Sequence, residues 1–209
     1  MSEWIFYYDY NRCIGCHACS VSCNGFHELD VDQDDWRTVD HVSSGTGAAF
    51  EEVPISTSCM HCPDAPCVDV CPVDIIEKRE EDGIVVHERD ECISCFQCRE
   101  ACPYNAPTYP GDDQLMAKCN FCLGKGAGSA YGQPEKQSEA DGGKKPSCVD
   151  NCVGGAIQAG PVDEMLELAS DEAVQRYEDG EQNQRVIVEP MHKGTEDIDT
   201  LIETAVSEE

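Results

Sequence analysis

Sixteen cysteines in four quartets constrain this chain more than any other feature of its 209 residues. The first quartet is Cys13, Cys16, Cys19 and Cys23, and the second is Cys59, Cys62, Cys67 and Cys71. The third is Cys92, Cys95, Cys98 and Cys102, and the fourth is Cys119, Cys122, Cys148 and Cys152. Thiols at this density are disulfide partners, zinc ligands or iron–sulfur ligands. Disulfide scaffolds are shorter, secreted and less regular, and zinc sites draw on pairs of C-x2-C. A C-x2-C-x2-C run instead places three sulfurs on one tight loop. One turn of backbone then wraps three corners of an iron–sulfide cube, with loop N–H groups turned toward the anionic sulfurs. Gly15, Ala18 and Ser94 inside the runs are small enough for close approach. The expectation is four [4Fe–4S] clusters in a row. A Rieske centre needs paired histidine ligands, and His17, His27, His41, His61, His87 and His192 show no such pairing.

The last cysteine of each quartet follows an x3 spacer, and proline follows it at Cys71-Pro72 and Cys102-Pro103. In two-cluster ferredoxins this sulfur ligates the neighbouring cluster. Groups two and three, joined by a short hairpin, are expected to share one unit, leaving groups one and four for the other. One cluster then takes Cys59, Cys62, Cys67 and Cys102, and its neighbour takes Cys92, Cys95, Cys98 and Cys71. In the outer unit Cys13, Cys16 and Cys19 go with Cys152, while Cys119, Cys122 and Cys148 go with Cys23. Adjacent pairing, group one with two and three with four, is the alternative.

The expected fold class is α+β: two bacterial ferredoxin-like units related by internal pseudo-symmetry, plus a C-terminal helix and strand extension. Residues 1–30 and 112–160 form the outer unit, 55–111 the inner unit and 161–209 the extension. Groups one and three are an internal repeat, "YYDYNRCIGCHACSVSC" and "VHERDECISCFQCREAC", each with a β-prone lead-in. Ile75-Ile76 and Ile84-Val85-Val86 around Asp82-Gly83 read as a hairpin. Residues 24–58 read as an acidic connector with one strand near Phe50–Val53, and 123–147 as a flexible loop. Val162, Met165, Leu166, Ala169, Ala173, Val174 and Tyr177 recur at helical spacing between Pro161 and Gly180, followed by a strand over Arg185–Glu189. Residues 191–209 read as a second short helix or a frayed tail.

The 42 acidic residues outnumber 14 Lys and Arg, for a net charge of −28 spread over the whole length. That argues against nucleic-acid binding. Beyond solubility, it suits concentrated salt, where screening cancels self-repulsion. Met1-Ser2-Glu3-Trp4 has no basic start or apolar run, and no stretch approaches the ~18 apolar residues of a membrane span. Membrane attachment is therefore expected through a partner. The "GTG" at 45–47 and "GKGAG" at 124–128 complete no phosphate-binding fingerprint. No nucleophile–base arrangement stands out, so the chain is expected to lack a catalytic site. Arg12, Lys78, Arg99 and Lys118 lie near ligands; they are read as surface pairing, with raised cluster potentials as the sharper alternative.

The stretches "DYNRCIGCHAC", "SCMHCPDAPCVDVCP", "KREEDGIVVHERDECISCFQCREACPYNAPTY", "KCNFC", "GKKPSCVDNC" and "GPVDEM" resemble the iron–sulfur β subunits of the DMSO reductase (complex molybdopterin oxidoreductase) family. Among its branches they are most similar to dimethyl sulfoxide reductase. The resemblance covers most of residues 4–190. It implies an electron-transfer subunit placed between a quinol-oxidising membrane anchor subunit and a molybdopterin catalytic subunit, with all sixteen cysteines as iron ligands. Cysteine at Cys95, where nitrate-reductase-like relatives carry tryptophan, implies four cubanes rather than a three-iron site. A tetrathionate, polysulfide, nitrate or formate complex is the alternative setting, and a structural zinc module the remote one. The acidity fits a haloarchaeal source, and the family setting implies the extracytoplasmic face by co-export, or else the cytoplasmic face. Two departures stand out: 25 residues between Cys122 and Cys148, and Val153 where proline is expected.

Overall fold

Trp4–Tyr8, an aromatic and β-branched run, forms β1, the middle strand of a three-stranded sheet. Alternation along the strand sends Ile5 and Tyr7 to one face and Phe6 and Tyr8 to the other. Both faces are covered. Ile5 and Tyr7 pack with Met165, Ala173 and Ile187, whereas Phe6 and Tyr8 enter the larger core that also holds most of the buried cysteines. The computed structural model describes residues 3–29, 34–44, 50–109, 114–123, 145–179 and 186–189.

The partners of β1 are β6 (Ile157–Pro161), antiparallel, and β7 (Val186–Val188), parallel. Because β1 runs toward Cys13 and β6 leaves from Cys152, the Tyr8↔Ile157 register sets the two cysteine loops side by side. The Asp9 N–H continues the ladder to the Ala156 carbonyl at 2.8 Å. Farther along, α1 (Ala18–His27) lies against α4 (Ser147–Asp150) through reciprocal bonds. The Ser22 hydroxyl donates to the Ser147 carbonyl at 3.2 Å, and the Ser147 hydroxyl donates to the Ser22 carbonyl at 3.1 Å. Cys23 and Cys148, each next in sequence to one of these serines, are clasped by the exchange.

The hairpin between groups two and three is present as β4 (Ile76–Lys78) and β5 (Val85–His87), paired Ile76↔His87 and closed by Gly83 at φ +70°. Each of groups one and three follows a strand and a 3-10 turn, Tyr10–Arg12 before Cys13 and Arg89–Glu91 before Cys92. The repeat is thus visible in the lead-ins.

Two expectations need correction. The connector is not one strand but a long hairpin, β2 (Arg37–Ser44) against β3 (Glu51–Ser58), with Phe50 outside it. Its ladder includes Pro54, tolerated because a two-stranded sheet has only edge strands. The C-terminal helix is two helices, α5 (Val162–Leu168) and α6 (Asp171–Glu178). Ala169 is extended, and the Ser170 hydroxyl caps α6 by accepting from the Ala173 N–H at 3.3 Å. The readings for 124–144, Gly180 and 191–209 lie outside the described residues.

Candidate metal centres

The cysteine loops are shaped by left-handed residues. In group one these are Gly15 (φ +64°) and His17 (φ +57°); in group three, at the same two positions, Ser94 (φ +54°) and Phe96 (φ +63°). Group two has His61 (φ +46°), and group four has Phe121 (φ +60°) and Cys122 (φ +59°). Alternating hand turns successive N–H groups to one side, the geometry of an anion nest. The Cys92 sulfur accepts from the Ser94 N–H at 3.4 Å and the Met116 N–H at 3.5 Å, and the Cys152 sulfur from the Ala156 N–H at 3.2 Å. Backbone N–H groups likewise serve Cys13 (from Gly15), Cys119 (from Phe121) and Cys102 (from Tyr104 and Ala106). At Gly15 a Cβ would also meet the His41 ring, 2.5 Å from Cε1, so any larger residue there has to displace that side chain.

A second local motif recurs after the closing cysteines. The N–H groups of Asp74, Asn105 and Gly155, all left-handed, donate to the carbonyls of Cys71, Cys102 and Cys152 at 3.3, 3.4 and 3.0 Å. Val153, 78% exposed, stands where the other two turns have proline, and the turn forms without it.

The fold gathers the sulfurs into four sets. Cys59, Cys62, Cys67 and Cys102 line one cavity, and Cys71, Cys92, Cys95 and Cys98 line another. Cys13 lies with Cys19, Cys152 and Cys16, and Cys23 with Cys119, Cys148 and Cys122. Burial first, and then neighbouring thiolates, push Cys62 up to about 12. Burial also lifts Cys119 to about 11 against the pull of Arg37, and Cys67 to about 11 against that of Lys118. Four such thiolates are stable together only around positive charge, which an iron–sulfide core supplies before its ligands are counted. The sulfurs of the Cys59 and Cys71 sets stand around cavities, as the corners of a body larger than a single ion would require.

Neighbouring sets lie within reach of each other's charge. Cys148 is repelled by Cys19, Cys119 by Cys59, and Cys67 by Cys98. The set of Cys13 therefore adjoins that of Cys23, which adjoins that of Cys59, which adjoins that of Cys71.

The cations divide sharply. Arg12 is exposed, Lys78 donates to the Pro63 carbonyl, and Arg99 braces the carbonyls of Asn105 and Pro107 at 3.4 and 2.9 Å. Lys118 is fully buried and lines the cavity of Cys59, so it is no surface residue. Arg37, also buried, escaped sequence reasoning because it sits in a stretch that reads as solvated connector.

Among the histidines, His61 is buried and accepts the Val85 N–H at Nδ1 (3.1 Å), and burial holds it well below its usual range. Burial lowers His27 to about 4, where its Nε2 lies 3.8 Å from the Cys122 sulfur and its ring 4.1 Å from that of Trp36. A base whose folded pKa is depressed stabilises the fold above its unfolded pKa and loses that contribution as pH falls through the folded value. His27 is therefore expected to destabilise the protein progressively between pH 6.5 and about 4. Denaturant unfolding at pH 7 and pH 5 measures this. His27→Phe, which keeps the ring stack, should lessen the difference, and an equal difference in the variant would exclude His27 as its source.

A family model described as a 4Fe-4S dicluster domain matches residues 51–162. The chain is 38% identical over 180 residues to the formate dehydrogenase iron-sulfur subunit of Wolinella succinogenes, covering 82% of this chain and 88% of that one. It is 34% identical over 180 residues to a component of the anaerobic dimethyl sulfoxide reductase of Escherichia coli K12, covering 81% and 79%. It is 35% identical over 176 residues to a component of the sulfite dehydrogenase of Allochromatium vinosum, covering 78% and 70%.

Proposed function

The protein belongs to the 4Fe-4S dicluster family of iron–sulfur subunits of molybdopterin oxidoreductase complexes, and on that premise we propose that it holds four [4Fe–4S] clusters and relays electrons between two partner subunits. The ligand sets are Cys13, Cys16, Cys19, Cys152; Cys23, Cys119, Cys122, Cys148; Cys59, Cys62, Cys67, Cys102; and Cys71, Cys92, Cys95, Cys98. What supports this reading is that sulfurs of successive sets lie within reach of each other's charge, Cys19 with Cys148, Cys119 with Cys59 and Cys67 with Cys98, as neighbours in a row would. The bound clusters supply reversible one-electron chemistry. This chain's residues hold the clusters, direct N–H groups at sulfur and exclude water from the middle of the row. It has no substrate site of its own in this reading.

The partners are a molybdopterin catalytic subunit and a quinol-oxidising membrane anchor. The anchor would hold the protein at the membrane, since no helix among the described residues is long and apolar enough to cross one. In a dimethyl sulfoxide reductase-like complex electrons run from anchor to catalytic subunit. The formate dehydrogenase relative favours a second reading, with the same row conducting the other way. Isolation of the complex with its large subunit, assayed with formate and with dimethyl sulfoxide, separates the two.

Iron and acid-labile sulfide analysis is expected to return about sixteen of each per chain. The reduced protein should show interacting S = 1/2 signals by electron paramagnetic resonance (EPR). Stoichiometric zinc in place of iron would reject the reading.

A further inference from the structure

The two inner sets in the row are the more deeply buried: of their eight sulfurs only Cys102 is half-buried, whereas each outer set has a single buried sulfur, Cys19 or Cys98. Cys23, Cys119, Cys122 and Cys148 are all buried, as are Cys59, Cys62 and Cys67, whereas Cys16 and Cys95 of the outer sets are exposed. Reduction adds an electron to a cluster already made anionic by four thiolates, and a low-dielectric surrounding penalises the added charge. Burial alone would thus lower the inner potentials and turn the middle of the row into a barrier.

Two cations occupy that middle. Arg37 is 1% exposed; its Nη1 donates to Tyr8 Oη at 2.8 Å and Ser56 Oγ at 3.2 Å, and its guanidinium lies over the rings of Phe6 and Tyr8. Its Nη2 is buried with no nitrogen or oxygen partner. Among the described residues no carboxylate forms an ion pair with it. An unpaired buried charge is costly, and the charges Arg37 faces are thiolates. A guanidinium keeps its proton in any protein setting, and the sulfurs of Cys148, Cys119 and Cys19 are the ones whose charge it meets. Its field also reaches Cys23 and Cys122. Lys118 repeats the arrangement next door. It is fully buried, donates to the carbonyls of Val85 and Cys119, and attracts the thiolates of Cys67 and Cys102.

We propose that Arg37 and Lys118 are a pair of potential-setting residues, Arg37 for the cluster of Cys23, Cys119, Cys122 and Cys148, and Lys118 for that of Cys59, Cys62, Cys67 and Cys102. Each offsets the burial penalty on reduction and keeps its inner cluster in step with the exposed ends. Arg37 has a lesser reach outward. Because Ser56 Oγ accepts from Arg37, its own proton is free to face the Cys19 sulfur, 3.6 Å away. The inference rests on the ligand sets proposed above.

The test is an EPR-monitored redox titration of the full chain with clusters assembled under anaerobic conditions, for wild type, Arg37→Met, Lys118→Met and the double variant. Each single variant is expected to keep its iron and to shift one signal, a different one in each case, with the double variant shifting both. The shift is at least tenfold in the oxidised-to-reduced ratio at fixed potential, which for one electron is about 59 mV toward lower potential. Arg37→Lys and Lys118→Arg should recover most of it. Unchanged potentials in iron-replete Met variants overturn the inference, as does movement of the same signal by both. Should the Met variants lose iron, Arg37→Gln and Lys118→Gln replace them; loss of iron there too makes the cations folding residues and overturns the inference. A wild-type chain without clusters would instead sink the underlying ligand assignment, so the two failures are distinct.

Discussion

Stripped of iron and sulfide by a chelator under oxidising conditions, the chain is expected to lose most of its fixed tertiary structure. The larger core contains Cys19, Cys59, Cys62, Cys67, Cys98, Cys119 and Cys148 among its buried members, and these surround voids once the clusters leave. Helices α2 (Pro66–Asp69), α3 (Gln97–Glu100) and α4 are four residues each, far too short to persist alone. The loops are also strained. His17, His61, Ser94, Phe96, Phe121 and Cys122 hold left-handed backbone at roughly 1–2 kcal/mol apiece. The total, roughly 6–12 kcal/mol, is as large as the about 5–15 kcal/mol by which ordinary domains are stable. Cluster binding and folding should therefore be one event. Near-ultraviolet circular dichroism should collapse, and hydrogen exchange should open β4 and β5 early. The small core of Ile5, Tyr7, Met165, Ala173 and Ile187, which holds no cysteine, should open last. A cluster-free chain with an unaltered thermal transition would refute this coupling.

Cys95→Trp is expected to leave a folded protein with one iron fewer and a three-iron centre in the set of Cys71, Cys92 and Cys98. Cys95 is exposed, between two left-handed residues, so the indole can point to solvent without overpacking the core. The iron at that corner loses its thiolate and dissociates, while three sulfurs still grip the rest. Three ferric ions have an odd number of electrons, so the oxidised variant should show an S = 1/2 signal where an intact oxidised cubane is silent. Iron analysis should fall from about sixteen to about fifteen. An unchanged spectrum, or loss of the whole centre, would refute the assignment of Cys95.

What could be read from the residues was whatever is written in local spacing. The C-x2-C-x2-C runs dictate tight loops, and the apolar pairs around Asp82-Gly83 dictate the β4–β5 hairpin, whichever way the rest of the chain goes. The β2–β3 hairpin was not legible, because Asp40, His41, Pro54 and several serines dilute the alternation that marks a strand. The break between α5 and α6 was written in Ser170-Asp171-Glu172, a capping signal outweighed by the apolar spacing across it. Burial of Arg37 could not be foreseen, since an arginine beside Trp36 in an acidic stretch has no local mark of its destination. Its environment is assembled from Tyr8, Ser56 and Cys148, which only the tertiary fold brings together.

Only the terminal sets bring a sulfur-bearing loop to the surface, at Cys16 and at Cys95. A conductor built this way leaks little: a stray oxidant in solution can draw current at two ports but not from the sheathed stretch between them. When both ports are capped by the proteins they serve, side reactions with dioxygen should fall away, and the isolated chain should be far more oxygen-sensitive than the same chain in its assembly.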